Sequence, residues 1–365
     1  MPPYLPVVCL ASAFLVSIVA TAVVRRWARA HGFVDRPGGH KAHAGEVALG
    51  GGIAIVAAVV LPMLAVLIAA RLLIRVDAEW LPELVRLHLP GLVSKSREGT
   101  GIIAGAIVLH ILGLVDDVRP LRAGAKFAVQ AMVAAMLALV FDLRALSHLG
   151  LAASTLVTVV WIVAITNAFN FLDNMDGLSA GVAVIAGAIY SIAAVLAGQV
   201  FVPACLWLLI GALLGFMPYN FQPASIYLGD AGSTVVGYLI AVFTILTTFY
   251  DPAAGQQPAG VIAPLVVLAV PLYDTAAVVL IRARSGRPIW IADRHHFSHR
   301  LIRAGMSPRR AVGVIWLATL ATALPALMLP RATWPVGLGV LAQTLVVVAL
   351  VALMESAGAH DRAKP

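Results

Sequence analysis

Apolar stretches of roughly 15–25 residues alternate with short polar interruptions along most of the chain. About 20 apolar residues in a helix cross a hydrocarbon core, and fewer suffice where neighbours shield an end. On that rule helical spans are expected near 4–24, 50–74, 101–115, 126–141, 151–169, 178–198, 200–218, 232–249, 260–281, 311–330 and 335–354, about 11 in all. The third and fourth are short for spans. The pattern predicts an all-α, polytopic integral membrane protein, with a single domain over 1–365 and no internal repeat. The first run has no basic stretch before it and no small-residue cleavage site after it, so it is read as a retained span.

Composition strengthens this picture. Apolar residues make up 61% and charged residues 12%, against about 45–50% and 25% in soluble domains. The two cysteines, Cys9 and Cys205, fall inside spans, which excludes a disulfide framework or a paired-cysteine metal site. The net charge of +8 is spread among short loops and does not point to nucleic acid. Most of the 25 basic residues fall in alternate loops, after the first, third and ninth spans, and in the tail. The positive-inside rule makes that face cytoplasmic, with the N-terminus outside and the C-terminus inside. The segment WLPELVRLHLP in the charge-bearing outer loop is expected along the outer interface.

The unusual polar residues gather on the same side. Asp116 and Asp117 end the third span, where carboxylates oppose the helix dipole and need a partner. They read as a cation or proton site, or as a solvated helix end paired with Arg119 or Lys126. Asn170, Asp173, Asn174 and Asp176 follow the fifth span. Four oxygen-bearing side chains this close suit a hard cation or a hydroxyl-rich ligand, whereas a helix cap needs only one. The stretch YNFQPASIYLGDAGS places Asp230 at a glycine-flanked helix start, suited to a metal-bound phosphate or to a plain turn and cap. The segment DRHHFSHRL offers Arg294, His296, His299 and Arg300 to phosphate oxygens. His295 and His299 at i, i+4 leave zinc open, and a lipid-attracting basic patch is the plainer alternative. The loop DRPGGHKAHAGEVALGGG, with Lys41 and His43, is weak alone and reads equally as a connector. Carboxylates for Mg2+ beside cationic donors for phosphate, at a membrane interface, suggest phosphoryl transfer to a lipid substrate.

Together these motifs resemble the polyprenyl-phosphate N-acetylhexosamine-1-phosphate transferases, the MraY/WecA/TagO family, from Asp35 to about Leu301. The DD-x3–4-L-x4-K-x3-Q pattern is matched by Asp116, Asp117, Leu121, Lys126 and Gln130. N-A-x-N-x-x-D-x-x-D-G-L is matched by Asn167, Asn170, Asp173, Asp176 and Gly177. N-x-x-P-A-x-x-[FY]-x-G-D-x-G-S is matched by Asn220, Pro223, Tyr227, Asp230 and Ser233. Asp35, Pro37, Lys41 and His43 match the loop motif that precedes them, and the histidine segment is similar to the WecA/TagO branch. The chain departs from the pattern at Ser298, where a histidine is usual, at His40, where a basic residue precedes the lysine, and at Asn174, where glycine is usual.

The resemblance implies attack by undecaprenyl phosphate on a UDP-N-acetylhexosamine, most simply UDP-GlcNAc. UMP would leave, and the lipid-pyrophosphate-sugar that starts cell-envelope polysaccharide synthesis would form. It implies Mg2+, or Mn2+ in its stead, held by Asp230 with Asp173 and Asp117. It further implies that Asp116 or Asp117 handles the lipid phosphate and that Asn170, Asp173 and Asp176 position the nucleotide. Uracil would meet Tyr227 or Asn220, and the pyrophosphate Arg294, His296 and His299, with Lys41, His43, Lys126 and Arg300 as further substrate contacts. A bacterial inner-membrane location with a cytoplasmic-face site follows, and a homodimer stays open. Two other classes compete. A UbiA-type prenyltransferase would need two acidic motifs but neither the GDAGS nor the histidine segment. A transporter would show symmetric halves and carboxylates near the midplane.

Overall fold

The structure, a computed structural model, describes residues 2–36, 45–75, 80–81, 83–247, 249–250, 255–286, 288 and 296–360, the last five of these and residue 84 by backbone only. Lys41, His43 and Arg294, with Pro37, His40 and His295, lie outside the described residues.

Helices dominate, as an apolar medium requires, because a helix satisfies its own backbone hydrogen bonds. In chain order they are α1 (Leu5–Ala30), α2 (Gly51–Leu73), α3 (Glu83–Ser94), α4 (Ser96–Val118), α5 (Ala123–Val140), α6 (Leu151–Leu172) and α7 (Leu178–Leu196). They continue as α8 (Phe201–Asn220), α9 (Asp230–Leu246), α10 (Ala263–Val267), α11 (Ala269–Arg284), α12 (Phe297–Arg303), α13 (Pro308–Ala323) and α14 (Trp334–His360). Among the described residues, 9 helices are long and apolar enough to cross a membrane; Pro258–Val267 with Ala269–Arg284, bent by 63°, makes a tenth. In that count α13 runs on through a 3-10 segment to Arg331. The remaining segment expected from the sequence, α9, is only 17 residues long. Its reason is its place: every residue from Ala231 to Thr244 is buried, against α2, α4, α6 and α7. A helix apolar on all sides is one surrounded by protein.

Leu15, Leu156, Leu317 and Leu353 on the outer helices stay largely exposed, a distribution suited to hydrocarbon surroundings and costly in water. The spans expected to be short are full length, since α4 and α5 extend past their apolar centres through polar ends.

Polar contacts bring one set of helix ends together. The C-terminal ends of α1, α4, α6, α8 and α14 meet the N-terminal ends of α2, α5, α7, α9 and α12, or the loops beside them. The two termini therefore lie at opposite ends of the bundle. A two-stranded antiparallel hairpin, β1 (Val34–Asp35) and β2 (Val47–Ala48), pairs Val34 with Ala48 and sits over this end. Ala48 also bridges Ile226, and the N–H groups of Gly51 and Gly52 donate to the carbonyls of Tyr227 and Leu228, both at 3.0 Å. That pairing satisfies two orphan donors of the α2 start and fixes the chain leading to Asp230.

Candidate active site

The site is assembled around the first turn of α9. One face of α4, bearing His110, Gly113 and Asp117 at helical spacing, lies directly on Asp230 and Ala231. A Cβ at Gly113 would collide with the Ala231 backbone, so the two helices approach at a distance only glycine permits. Asp117 accepts the N–H groups of Asp230 at 2.8 Å and Ala231 at 3.1 Å, capping α9 from another helix. This resolves the electrostatic problem of a carboxylate at a helix C-terminus: the adverse end of α4 abuts the favourable start of α9. Gly229 adopts φ +74°, and a Cβ there would strike the Asp117 carboxylate.

Two further side chains meet the Asp230 carboxylate, Lys126 and Asn170. Lys126, from the first turn of α5, donates to Asp116 Oδ2 at 2.6 Å and to Asp230 Oδ2 at 3.3 Å. Asp116 also accepts the Leu121 N–H at 2.6 Å, which orders the turn between α4 and α5. From α6, Asn170 Nδ2 donates to Asp230 Oδ1 at 2.9 Å and to Ser233 Oγ at 3.0 Å. Behind it Asn167 donates to Gln130 at 2.6 Å, tying α6 to α5.

Asp173 and Asp176 follow on the turn into α7. The Asp173 carboxyl is pushed well above the usual carboxylate range, first by lost hydration and then by the negative charges of Asp230, Asp117 and Asp176. Asp176 accepts the Ala224 N–H at 2.9 Å. The Tyr227 phenol is also pushed up, by burial first and then by Asp176, Asp35 and Asp173. Asn220 is buried, with Oδ1 accepting the Gly177 N–H at 2.9 Å and Nδ2 donating to the Ile226 carbonyl at 3.1 Å. Its amide is thus occupied in joining two turns, and Tyr227 is the more accessible of the two residues expected near uracil.

The histidine segment joins from the far side. His296 is 5% exposed and Asp274, from the middle of α11, is 1% exposed. Asp274 Oδ2 lies 3.0 Å from His296 Nδ1, and Oδ1 accepts the Phe297 N–H at 2.6 Å. The His296 ring meets Phe171 edge-on at 5.9 Å, and the Arg282 guanidinium lies over the same Phe171 ring at 5.5 Å. Ser298 is hydrogen-bonded to Asn174. Arg300 donates to Glu355 of α14 at 2.6 Å, so this expected phosphate donor is engaged with a carboxylate. Asp274 and Arg282, which support this segment, are not among the residues singled out by the sequence motifs, although Asp274 carries a signal. An Asp inside an apolar span is a functional candidate by default.

Lys126 thus pairs with Asp116 and Asp230, Asp117 lies beside them, and Asp173 feels the charges of Asp230, Asp117 and Asp176. Such an excess of carboxylates suits a hard divalent cation. Among the described residues, no three His, Cys, Asp or Glu groups are already disposed to hold a metal by themselves. The expected set of Asp230, Asp173 and Asp117 is thus not a ready three-carboxylate site, and Asp117 is engaged by the backbone N–H groups of Asp230 and Ala231.

Residues 100–248, which carry most of this site, match the family described as Glycosyl transferase family 4. A Bacillus subtilis (strain 168) protein described as a "probable undecaprenyl-phosphate N-acetylglucosaminyl 1-phosphate transferase" is 33% identical over 334 residues, covering 88% of this chain and 85% of that one. The decaprenyl-phosphate N-acetylglucosaminephosphotransferase of Mycobacterium tuberculosis (strain ATCC 25618 / H37Rv) is 30% identical, over 84% of this chain and 78% of its own. The undecaprenyl-phosphate alpha-N-acetylglucosaminyl 1-phosphate transferase of Escherichia coli (strain K12) is 27% identical, over 85% and 80%.

Proposed function

Because the chain belongs to the polyprenyl-phosphate N-acetylhexosamine-1-phosphate transferase family, we propose that it transfers N-acetylglucosamine-1-phosphate from UDP-GlcNAc to undecaprenyl phosphate. An oxygen of the lipid phosphate bonds to the sugar-linked phosphorus. The bond from that phosphorus to the bridging oxygen breaks, and UMP leaves with the electron pair. One diphosphate linkage is exchanged for another, which explains why the chain needs to supply positioning and charge compensation above all.

The observation that carries this reading is the meeting of Asp117, Lys126, Asn170 and Asp173 at Asp230, with Asp116 behind Lys126, at one end of an apolar bundle. In this reading Asp230 and Asp173 would hold Mg2+, and Asp117 fixes the backbone that presents Asp230. Bound there, Mg2+ would neutralise charge on the phosphates being exchanged. Lys126 withdraws negative charge from Asp116 and Asp230 and fixes both. Asn170 holds the second oxygen of Asp230, so that carboxylate has little freedom to rotate. Tyr227 offers a ring to uracil. His296 and His299 face the diphosphate, with Lys41, His43 and Arg294 as further contacts.

The basic helix ends gather at the same end of the bundle as the site, which supports a cytoplasmic-face reaction in a bacterial inner membrane. The test is direct. Purified protein given Mg2+, labelled UDP-GlcNAc and undecaprenyl phosphate is expected to yield a butanol-extractable labelled lipid and UMP. No labelled lipid with any UDP-hexosamine in a panel would reject the reading.

A further inference from the structure

The two halves of the site come from distant parts of the chain, and beside the edge-on contact of His296 with Phe171 a hydrogen-bonded side-chain pair joins them. Asn174 lies between Asp173 and Asp176 on the α6–α7 turn, while Ser298 lies between His296 and His299 on α12. Asn174 Nδ2 donates to the Phe171 carbonyl at 2.7 Å, which orients the amide and leaves Oδ1 to accept the Ser298 hydroxyl. Ser298 is 1% exposed, so its hydroxyl has no water to turn to.

We infer that Asn174 and Ser298 act as one positioning pair, coupling the turn that carries the carboxylates to the helix that carries the histidines. The inference rests on the proposed transferase reading for its effect on turnover, but the coupling itself is a property of the fold. The histidine end of the segment is held separately by Asp274, through His296 and the Phe297 N–H. Losing the serine–asparagine bond therefore leaves α12 docked at its start by Asp274 and through Arg300 to Glu355, and loosens the turn between them that carries Ser298 and His299. A misplacement of about 1 Å at a reacting centre costs on the order of a hundredfold in rate. A freed segment that samples the correct place part of the time costs less, and about tenfold is expected.

The experiment combines Asn174→Ala, Ser298→Ala and the double variant in full-length protein, with Ser298→Thr as the conservative control. Two readouts are taken. Amide hydrogen exchange over 296–303 is expected to quicken by a similar factor in both single variants and no further in the double variant. With UDP-GlcNAc and undecaprenyl phosphate, kcat is expected to fall about tenfold in either single variant and no further in the double. Ser298→Thr, which retains the hydroxyl, should keep both near wild type. Independent, additive changes in exchange, or exchange indistinguishable from wild type in either single variant, overturn the pairing. Should Ser298→Ala fail to fold, the exchange and turnover of Asn174→Ala beside Ser298→Thr decide the matter in the same way. Wild-type protein that forms no lipid product would count against the transferase reading, while the exchange data would still decide the pair.

Discussion

At the residue scale, Asp230 is where three helices and a loop converge, and its two oxygens are held by different partners, Lys126 and Asn170. Asp230→Asn keeps the shape and removes the charge. Turnover is expected to fall by about 10²–10³ at saturating Mg2+, a loss typical of removing one group that stabilises developing charge. Because the carboxylates repel one another, the same change should leave detergent melting in EDTA unchanged or higher. Wild-type turnover in this variant would remove Asp230 from the metal role. Asp274 gives the opposite signature. Asp274→Ala strands the Phe297 N–H and the His296 ring nitrogen in a buried place, at a cost of about 1–3 kcal/mol. Melting temperature and turnover should drop together, and an unchanged melting temperature would show that Asp274 is not the dock for this segment.

At the scale of elements, close backbone approach does what side chains alone could not. Gly113 on α4 and Gly52 on α2 both face the α9 start, Gly113 against Ala231 and Gly52 against Gly232. Each position must lack a Cβ for three helices to converge on one turn. Gly113→Val is expected to push α9 off α4, break the Asp117 cap and lower turnover at least about tenfold. The cap itself is worth about 1 kcal/mol to the start of a helix. Melting in detergent and lipid-product formation measure the two effects, and full activity in Gly113→Val would mean that α9 is not held by this contact. The face that does this is spelled out in the sequence at i, i+3 and i+7, yet nothing local identifies its partner.

At the scale of the whole molecule, helix ends of one polarity collect the carboxylates, and the described chain begins and ends on opposite sides of the bundle. With the basic ends inward, a fluorescent protein fused after Pro365 should fluoresce in bacterial cells and the same fusion before Met1 should not. The reverse pattern would invert the proposed orientation. Chelation supplies a second check at this scale. EDTA should abolish product formation and Mg2+ should restore it, because the mutually repelling carboxylates of Asp117, Asp173 and Asp230 lie close together. Undiminished turnover in EDTA would leave the carboxylates to act without a metal.

Much of this is legible in the sequence itself. The period of apolar runs places most helices within a few residues, because bilayer thickness and backbone hydrogen bonding favour a helix there, but the expected span 260–281 is broken by a 63° bend and 311–330 ends in a 3-10 segment. Asp116, Asp117, Asn170, Asp173, Asp176 and Asp230 stood out because charged and amide groups beside an apolar run are expensive unless they have partners. What those partners are depended on the fold alone. That Asp117 caps α9, that Asn220 is a scaffold between two turns, and that Asn174 reaches Ser298 across 124 positions of sequence are long-range facts. Local pattern carries the cost of burying a group, because that cost belongs to the residue. The compensation belongs to a neighbour, and only the packing of helices decides which neighbour that is.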